Sequence, residues 1–188
     1  MAEEPPTKKA KSDEFPPLSL PDHKMNLAKM LVKDSEGKSL HELVDSPISV
    51  LQGISERADV MMEALRVNTI KELAAWKYGV MAQAIAVCAS LEEDGKRMAD
   101  SVLNLDNALD KEHESKSLAE IVALPPSALQ GLPPKADEEL QSHHITTIQK
   151  LADWKYMKWA QAVTALVDYE ETKSAEQRKA EKMLKKLE

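Results

Sequence analysis

The spacing of hydrophobic and polar positions along the chain predicts helices rather than strands. Apolar residues recur at intervals of three and four, as at Ala58, Met62 and Leu65, and no segment alternates with a period of two. The stripe that predicts the longest helix of the first half runs to about Glu93 and contains Tyr78, Ala82, Ile85 and Ala89. We therefore expect an all-α fold.

Helix starts are marked by polar residues ahead of these stripes. Ser39-x-x-Glu42 and Ser117-x-x-Glu120 have the pattern of a capping box, in which the serine hydroxyl accepts from a backbone N–H and the glutamate reaches back. Thr69 is a candidate cap for a helix that begins at the next residue. Each of these positions should begin a helix.

The sequence contains a gapless internal duplication. A shift of 78 positions places residues 25–93 on 103–171, and 29 of the 69 aligned pairs are identical. A unit of this length is a small helical domain, since the repeats of solenoid proteins are usually ~20–50 residues long. We expect two homologous helix-hairpin-helix-like domains in tandem, each burying its own core.

The two ends of the chain differ from the repeats. Residues 1–24 are rich in proline and predict an extended or disordered arm. Repeat 1 then spans 25–102, repeat 2 spans 103–171, and 172–188 predicts a charged C-terminal helix. We expect this helix to pack back onto its own domain, or else on a partner helix, through a thin stripe of Ala180, Met183, Leu184 and Leu187.

Charge and composition narrow the classes of partner. The net charge is −7, and both repeats are acidic, with nine Lys and Arg against 12 Asp and Glu in repeat 1. Nucleic acid is therefore disfavoured as a partner, since phosphate binding needs clustered cations. No apolar run approaches the ~18 residues of a membrane span. The single cysteine, Cys88, favours an intracellular protein, cytoplasmic or nuclear, and Lys8, Lys9 and Lys11 form a weak candidate import signal.

The turn after the second predicted helical segment resembles a helix-hairpin-helix turn. In that family a Gly-hydrophobic-Gly turn binds a phosphate through backbone N–H groups. Gly53 and Gly131 supply the first glycine, but the second is missing from both copies, and prolines remove two donors from the second copy. Arg57 and Lys135 are the nearby candidate phosphate contacts. A structural turn is the preferred interpretation.

Aromatic residues recur at matching positions. Trp76 and Tyr78 correspond to Trp154 and Tyr156, and the second copy adds Trp159. Such rings could hold a planar ligand or lie between the domains, but a small helical unit more often buries its tryptophans. We expect both paired tryptophans to be mostly buried.

Catalytic chemistry finds little support in the residues. His143 and His144 are adjacent, so they point about 100° apart and make no ready metal site. Leu166 replaces Cys88 in repeat 2, which indicates a buried apolar position rather than a nucleophile. We predict no enzyme activity, no catalytic residue, no metal and no cofactor.

The repeated phrases resemble the N-terminal repeat domain shared by dinoflagellate luciferase and luciferin-binding protein. The resembling segments are 38–40, 49–53 and 69–78, with their second copies at 116–118, 127–131 and 147–156. The resemblance covers roughly residues 25–171. It implies an accessory helical module without the catalytic barrels of the luciferase.

We expect a non-catalytic protein-interaction or scaffold module that presents a duplicated helical surface, as an accessory subunit of a larger assembly. Two linked sites would then raise avidity. Val60, Met61 and Val80 become charged in repeat 2, so they are the candidate partner surface of repeat 1. The alternatives are nucleic-acid binding through the paired hairpins and a carrier of a planar ligand at the aromatic residues.

Overall fold

The computed structural model describes residues 25, 27–54, 56–102, 104–171 and 173–186. This part of the chain is helical, and its extended pairing is limited to two isolated bridges, Leu31 with Leu51 and Leu109 with Leu129. The α-helices are α1 (Leu40–Val44), α2 (Glu56–Ala64), α3 (Ile70–Ala74), α4 (Lys77–Ala89), α5 (Leu118–Ile121), α6 (Lys135–Gln141), α7 (Ile148–Ala152), α8 (Lys155–Leu166) and α9 (Ala175–Leu184). Short 3-10 turns span Lys33–Ser35, Ile48–Val50, Glu93–Gly95, Lys111–His113, Pro126–Ala128 and Val167–Tyr169. The predicted all-α class is confirmed.

The predicted helix starts are present at both copies. Ser39 and Ser117 form complete capping boxes at α1 and α5. Thr69 accepts from the backbone N–H of Glu72 and begins α3. These caps satisfy N–H groups that the first turn of a helix leaves without partners.

The helix pair α3–α4 is broken at Trp76. The backbone of Trp76 is extended, with φ −62° and ψ 112°, so α3 ends before it and α4 begins after it. The same break separates α7 from α8 at Trp154. Each repeat therefore ends in a short helix, a sharp turn and a long helix.

The long helix of each repeat packs on the other repeat. Helix α4 lies mainly against α7 and α5, whereas α8 lies mainly against α3 and α1. The buried apolar residues of both repeats form one continuous cluster. The expectation that each repeat buries its own core is therefore wrong, because each lends its longest apolar helix to the other.

Equivalent residues meet where α4 and α8 approach each other. The side-chain amides of Gln83 and Gln161, which are 78 positions apart, exchange two hydrogen bonds of 3.0 and 2.7 Å. Gly79 and Met157, which also occupy equivalent positions in the two repeats, face each other, because a Cβ on Gly79 would collide with the Met157 Sδ. These self-facing pairs mark a pseudo-two-fold axis within one chain.

Two carboxylates, one just beyond α4 and one just beyond α8, bind the opposite repeat. Glu170, just beyond α8, accepts from the backbone N–H groups of Leu40 (2.8 Å) and His41 (3.2 Å) at the start of α1. Its equivalent Glu92, beyond α4, accepts from Leu118 (3.0 Å) and Ala119 (2.9 Å) at the start of α5. A carboxylate at a helix N-terminus interacts favourably with the helix dipole. Each repeat thus caps the first helix of the other.

Most of the apolar residues that are identical in the two repeats and fall at helical spacing are buried. The buried pairs are Leu51 and Leu129, Ile70 and Ile148, Leu73 and Leu151, and Ala82 and Ala160. Ala152 is buried, but Ala74 is only partly buried. The apolar residues shared by both copies therefore mark the core, but they do not show which repeat covers which residue.

The C-terminal helix α9 does not pack back on the repeats. It begins with a capping box formed by Ser174 and Gln177, but Ala180, Met183 and Leu184 are exposed. The expected docking of this stripe on its own domain is wrong, because α9 lies apart from the shared core. Leu187 and the N-terminal arm, with the candidate import signal of Lys8, Lys9 and Lys11, lie outside the described residues.

Candidate interaction face

The recurring aromatic residues lie inside the fold and between the repeats. Trp76 and Trp154 are 6% and 7% exposed, at matching positions, as expected. Each packs edge to face on the tyrosine two residues later, with ring centroids 5.7 and 5.8 Å apart. Trp159 is half-buried against Tyr156, at 5.4 Å. These rings are packed on protein, so they offer a planar ligand little free surface.

The tyrosine hydroxyls meet the glycine turns of the opposite repeat. The Tyr156 hydroxyl oxygen lies 3.0 Å from the position of a Cβ on Gly53, and the Tyr78 hydroxyl lies 3.2 Å from that of Gly131. Both glycines have positive φ, 89° and 87°, which a residue with a side chain adopts only with strain. The tyrosines therefore occupy the glycine side of the turns, and this favours the interdomain role over the ligand role.

The tyrosines that face the glycine turns also limit how a phosphate could reach the candidate contacts at these turns. Arg57 and Lys135 are exposed on α2 and α6, while Gly53 and Gly131 face tyrosine. A phosphate that approached either turn on that side would meet a phenol ring. The turns at Gly53 and Gly131 thus form contacts between the repeats.

A cleft of about 570 Å³ lies at the linker between the repeats. Its lining is mainly linker side chains, including Glu93, Lys96 and Arg97. None of the candidate ligand-binding aromatic residues, at positions 76, 78, 154, 156 and 159, lines this cleft.

In the described part of the chain, no group of His, Cys, Asp and Glu side chains could hold a metal ion. Over the same residues, no helix has both the length and the apolar character needed to cross a membrane.

The three residues of the candidate partner surface, Val60, Met61 and Val80, do not form one exposed patch. Val60 and Val80 are exposed, at 69% and 43%, but Met61 is buried at 4%. Its inclusion is wrong, because α2 turns Met61 and Met62 into the core together, whereas the equivalent Glu139 faces solvent on the shorter α6. Val60 and Val80 lie on different helices, α2 and α4.

Val80 begins an exposed apolar stripe along the outer side of α4. Ala84, Val87 and Leu91 follow it at spacings of four, three and four, so they share one face. Val87 and Leu91 are 61% and 79% exposed. Cys88 lies beside them and is exposed, which corrects the expected burial of this cysteine. We call Val80, Ala84, Val87, Cys88 and Leu91 the outer stripe.

The outer stripe is unusual because α4 has no polar side. Lys77 is the single charged residue among its 13 residues. An all-round apolar helix is normally buried on every side. Here the side of Tyr78, Ala82 and Ile85 is buried and Met81 and Ala86 are partly buried beside it, whereas the outer stripe is exposed. The outer stripe therefore lacks the polar residues that a surface helix ordinarily presents to water.

The equivalent face of α8 is less apolar. Lys158 replaces Val80 and is paired with Asp153 at 3.0 Å. Ala162 and Ala165 are small, and Leu166 and Tyr169 are exposed. The hydrogen bonds from Gln149 and Lys158 hold the pKa of Asp153 below its ordinary value. The two copies of the face are thus chemically distinct, and repeat 1 carries the more apolar one.

Comparisons with family models, with curated proteins and with solved structures gave no match to this chain.

Proposed function

We propose that this protein is a non-catalytic interaction module that binds a protein partner through the outer stripe of α4. The observation that carries the proposal is the stripe of exposed apolar side chains at Val80, Ala84, Val87 and Leu91, which share one side of the helix. Apolar surface gains free energy when a partner removes it from water, at about 25 cal/mol per Å². A contiguous exposed patch of this kind is typical of a protein interface.

The shared core supports this role. Because the repeats interlock, α4 of repeat 1 is held in place by α5 and α7 of repeat 2 and presents its outer side on a packed framework. The two copies of the face are then parts of one framework rather than of two domains on a flexible linker. The resemblance to the repeat domain of luciferase and luciferin-binding protein agrees with an accessory role in a larger assembly.

The natural cysteine provides a direct test. A maleimide-linked photo-crosslinker attached to Cys88 sits in the outer stripe, and the chain has no other cysteine. In an extract of the native source, we expect a defined covalent adduct with the wild-type chain. Val87→Glu should abolish it, because a charge would have to be buried without a partner.

Ala165→Glu is the matched control. Ala165 is the exposed equivalent of Val87 on α8, so this change adds the same charge to the other copy of the face. The adduct should persist in the control. An absence of any specific adduct, or equal loss in both variants, would contradict the proposed function.

A further inference from the structure

The charges at the two ends of the outer stripe are opposite. Lys77 is exposed at the start of α4, and it is the only charge on that helix. Beyond the other end, Glu93 and Asp94 are exposed in the turn that follows. The stripe is therefore apolar in the middle, positive at one end and negative at the other.

This order of residues is self-complementary when two copies of α4 run antiparallel. A pairing centred between Ala84 and Val87 sets each Ala84 opposite Val87 of the second copy. It sets Val80 opposite Leu91 of the second copy, and it brings Lys77 near the Glu93–Gly95 turn that follows α4 of the second copy. Small side chains then face larger ones, and cations face carboxylates. A two-fold interface requires this kind of match of one surface with itself.

Resting on the proposed function, we propose that the partner covering the outer stripe is a second copy of this chain, packed antiparallel through α4. The face of α8 does not offer the same pairing, because Lys158 stands where α4 has Val80. Repeat 1 therefore forms the interface, and repeat 2 faces away from it or contributes at its rim.

The size of the stripe sets the strength of the association. Val80 to Ala89, the part of the stripe within α4, spans about 14 Å at ~1.5 Å per residue, and Leu91 follows just beyond the helix end. A single pair of crossing helices of this length lies at the small end of specific interfaces. We expect a reversible dimer with a dissociation constant on the order of tens of µM.

The geometry also predicts the behaviour of Cys88. In the antiparallel pairing the two Cys88 positions are separated by five residues along the axis, about 7.5 Å, and by the ~8–10 Å between packed helices. The resulting Cα separation of roughly 11–13 Å is too long for a disulfide. It is within reach of a short bis-maleimide.

The test combines sedimentation equilibrium of the purified full chain with crosslinking by a short bis-maleimide. We expect concentration-dependent dimerisation and a covalent dimer through Cys88. Val87→Glu should weaken dimerisation at least tenfold and abolish the crosslink, whereas Ala165→Glu should leave both unchanged. Lys77→Glu should weaken dimerisation severalfold, and Asp94→Lys in the same chain should restore it.

Other outcomes overturn the proposal in distinguishable ways. A chain that stays monomeric, while the Cys88 photo-adduct contains a different protein, refutes the second copy and leaves the proposed function standing. A monomer with no specific adduct refutes both. A dimer that survives Val87→Glu has its interface elsewhere. A dimer that is lost on Met183→Glu with Leu184→Glu places α9 of the second copy on the stripe, and so refutes the α4 pairing.

Discussion

Replacing Glu170 by alanine should destabilise the fold through the contact between repeats. The carboxylate of Glu170 accepts two backbone N–H groups of α1, from Leu40 and His41, at 2.8 and 3.2 Å. This cap forms only when the end of α8 lies across repeat 1. The change therefore tests the interlocked arrangement rather than the stability of one helix.

The expected magnitude follows from the type of contact and its exposure. Hydrogen bonds to a charged group contribute ~1.5–3 kcal/mol, and a charge at a helix N-terminus ~0.3–1 kcal/mol. Ser39 still caps α1 in the variant, and the freed N–H of exposed His41 can reach water, whereas that of buried Leu40 loses its partner. We expect a loss of about 1–2 kcal/mol for Glu170→Ala, and a similar loss for Glu92→Ala at the equivalent cap.

Urea unfolding at pH 7, followed by circular dichroism, measures this loss. With a slope of about 2 kcal/mol per M, the midpoint should fall by roughly 0.5–1 M. Glu171→Gln is the control, since Glu171 is an exposed neighbour and its change should cost less than ~0.5 kcal/mol. If Glu170→Ala unfolds at the same urea concentration as Glu171→Gln, the cap does not hold the repeats together.

Three further predictions concern the contact between α4 and α8, the core and the helix caps. Gly79→Ala should destabilise the fold by ~1–3 kcal/mol, because the new methyl group would clash with buried Met157. Met157→Ala in the same chain should relieve this clash. A double-mutant cycle of unfolding free energies would detect the relief as coupling between the two positions. Trp154→Ala should cost ~3–5 kcal/mol, measured by urea unfolding. Hydrogen bonds from Ser39 lower the pKa of Glu42 below its ordinary 4.5, so the stabilisation from this carboxylate is present above that pH and is lost as pH falls through the folded pKa. The difference in unfolding midpoint between the wild type and Ser39→Ala should therefore be smaller at pH 3.5 than at pH 5.5.

Local features of the fold could be predicted from the sequence because they depend on near neighbours. The capping boxes at Ser39 and Ser117 need only residues three positions apart. The burial of Leu51 and Leu129 follows from an apolar residue kept in both copies. These features arise whichever repeat supplies the covering helix.

The exchange of helices could not be predicted in this way. Because the repeats are homologous, the face of α4 that fits α3 of its own repeat also fits α7 of the other, and the sequence pattern is the same for both arrangements. The exposure of Cys88 was missed for a related reason, since an all-apolar helix has no polar face to orient it. The exposed stripe depends on the direction in which α4 packs, which the sequence pattern does not specify.

The measurement that tests the interlocked fold most directly is the association of its separated halves. Residues 1–102 and 103–188, produced as two chains and mixed, should form a one-to-one complex that is helical and unfolds in one cooperative transition, because each half completes the core of the other. Two halves that each fold as stable monomers and do not associate would contradict the account.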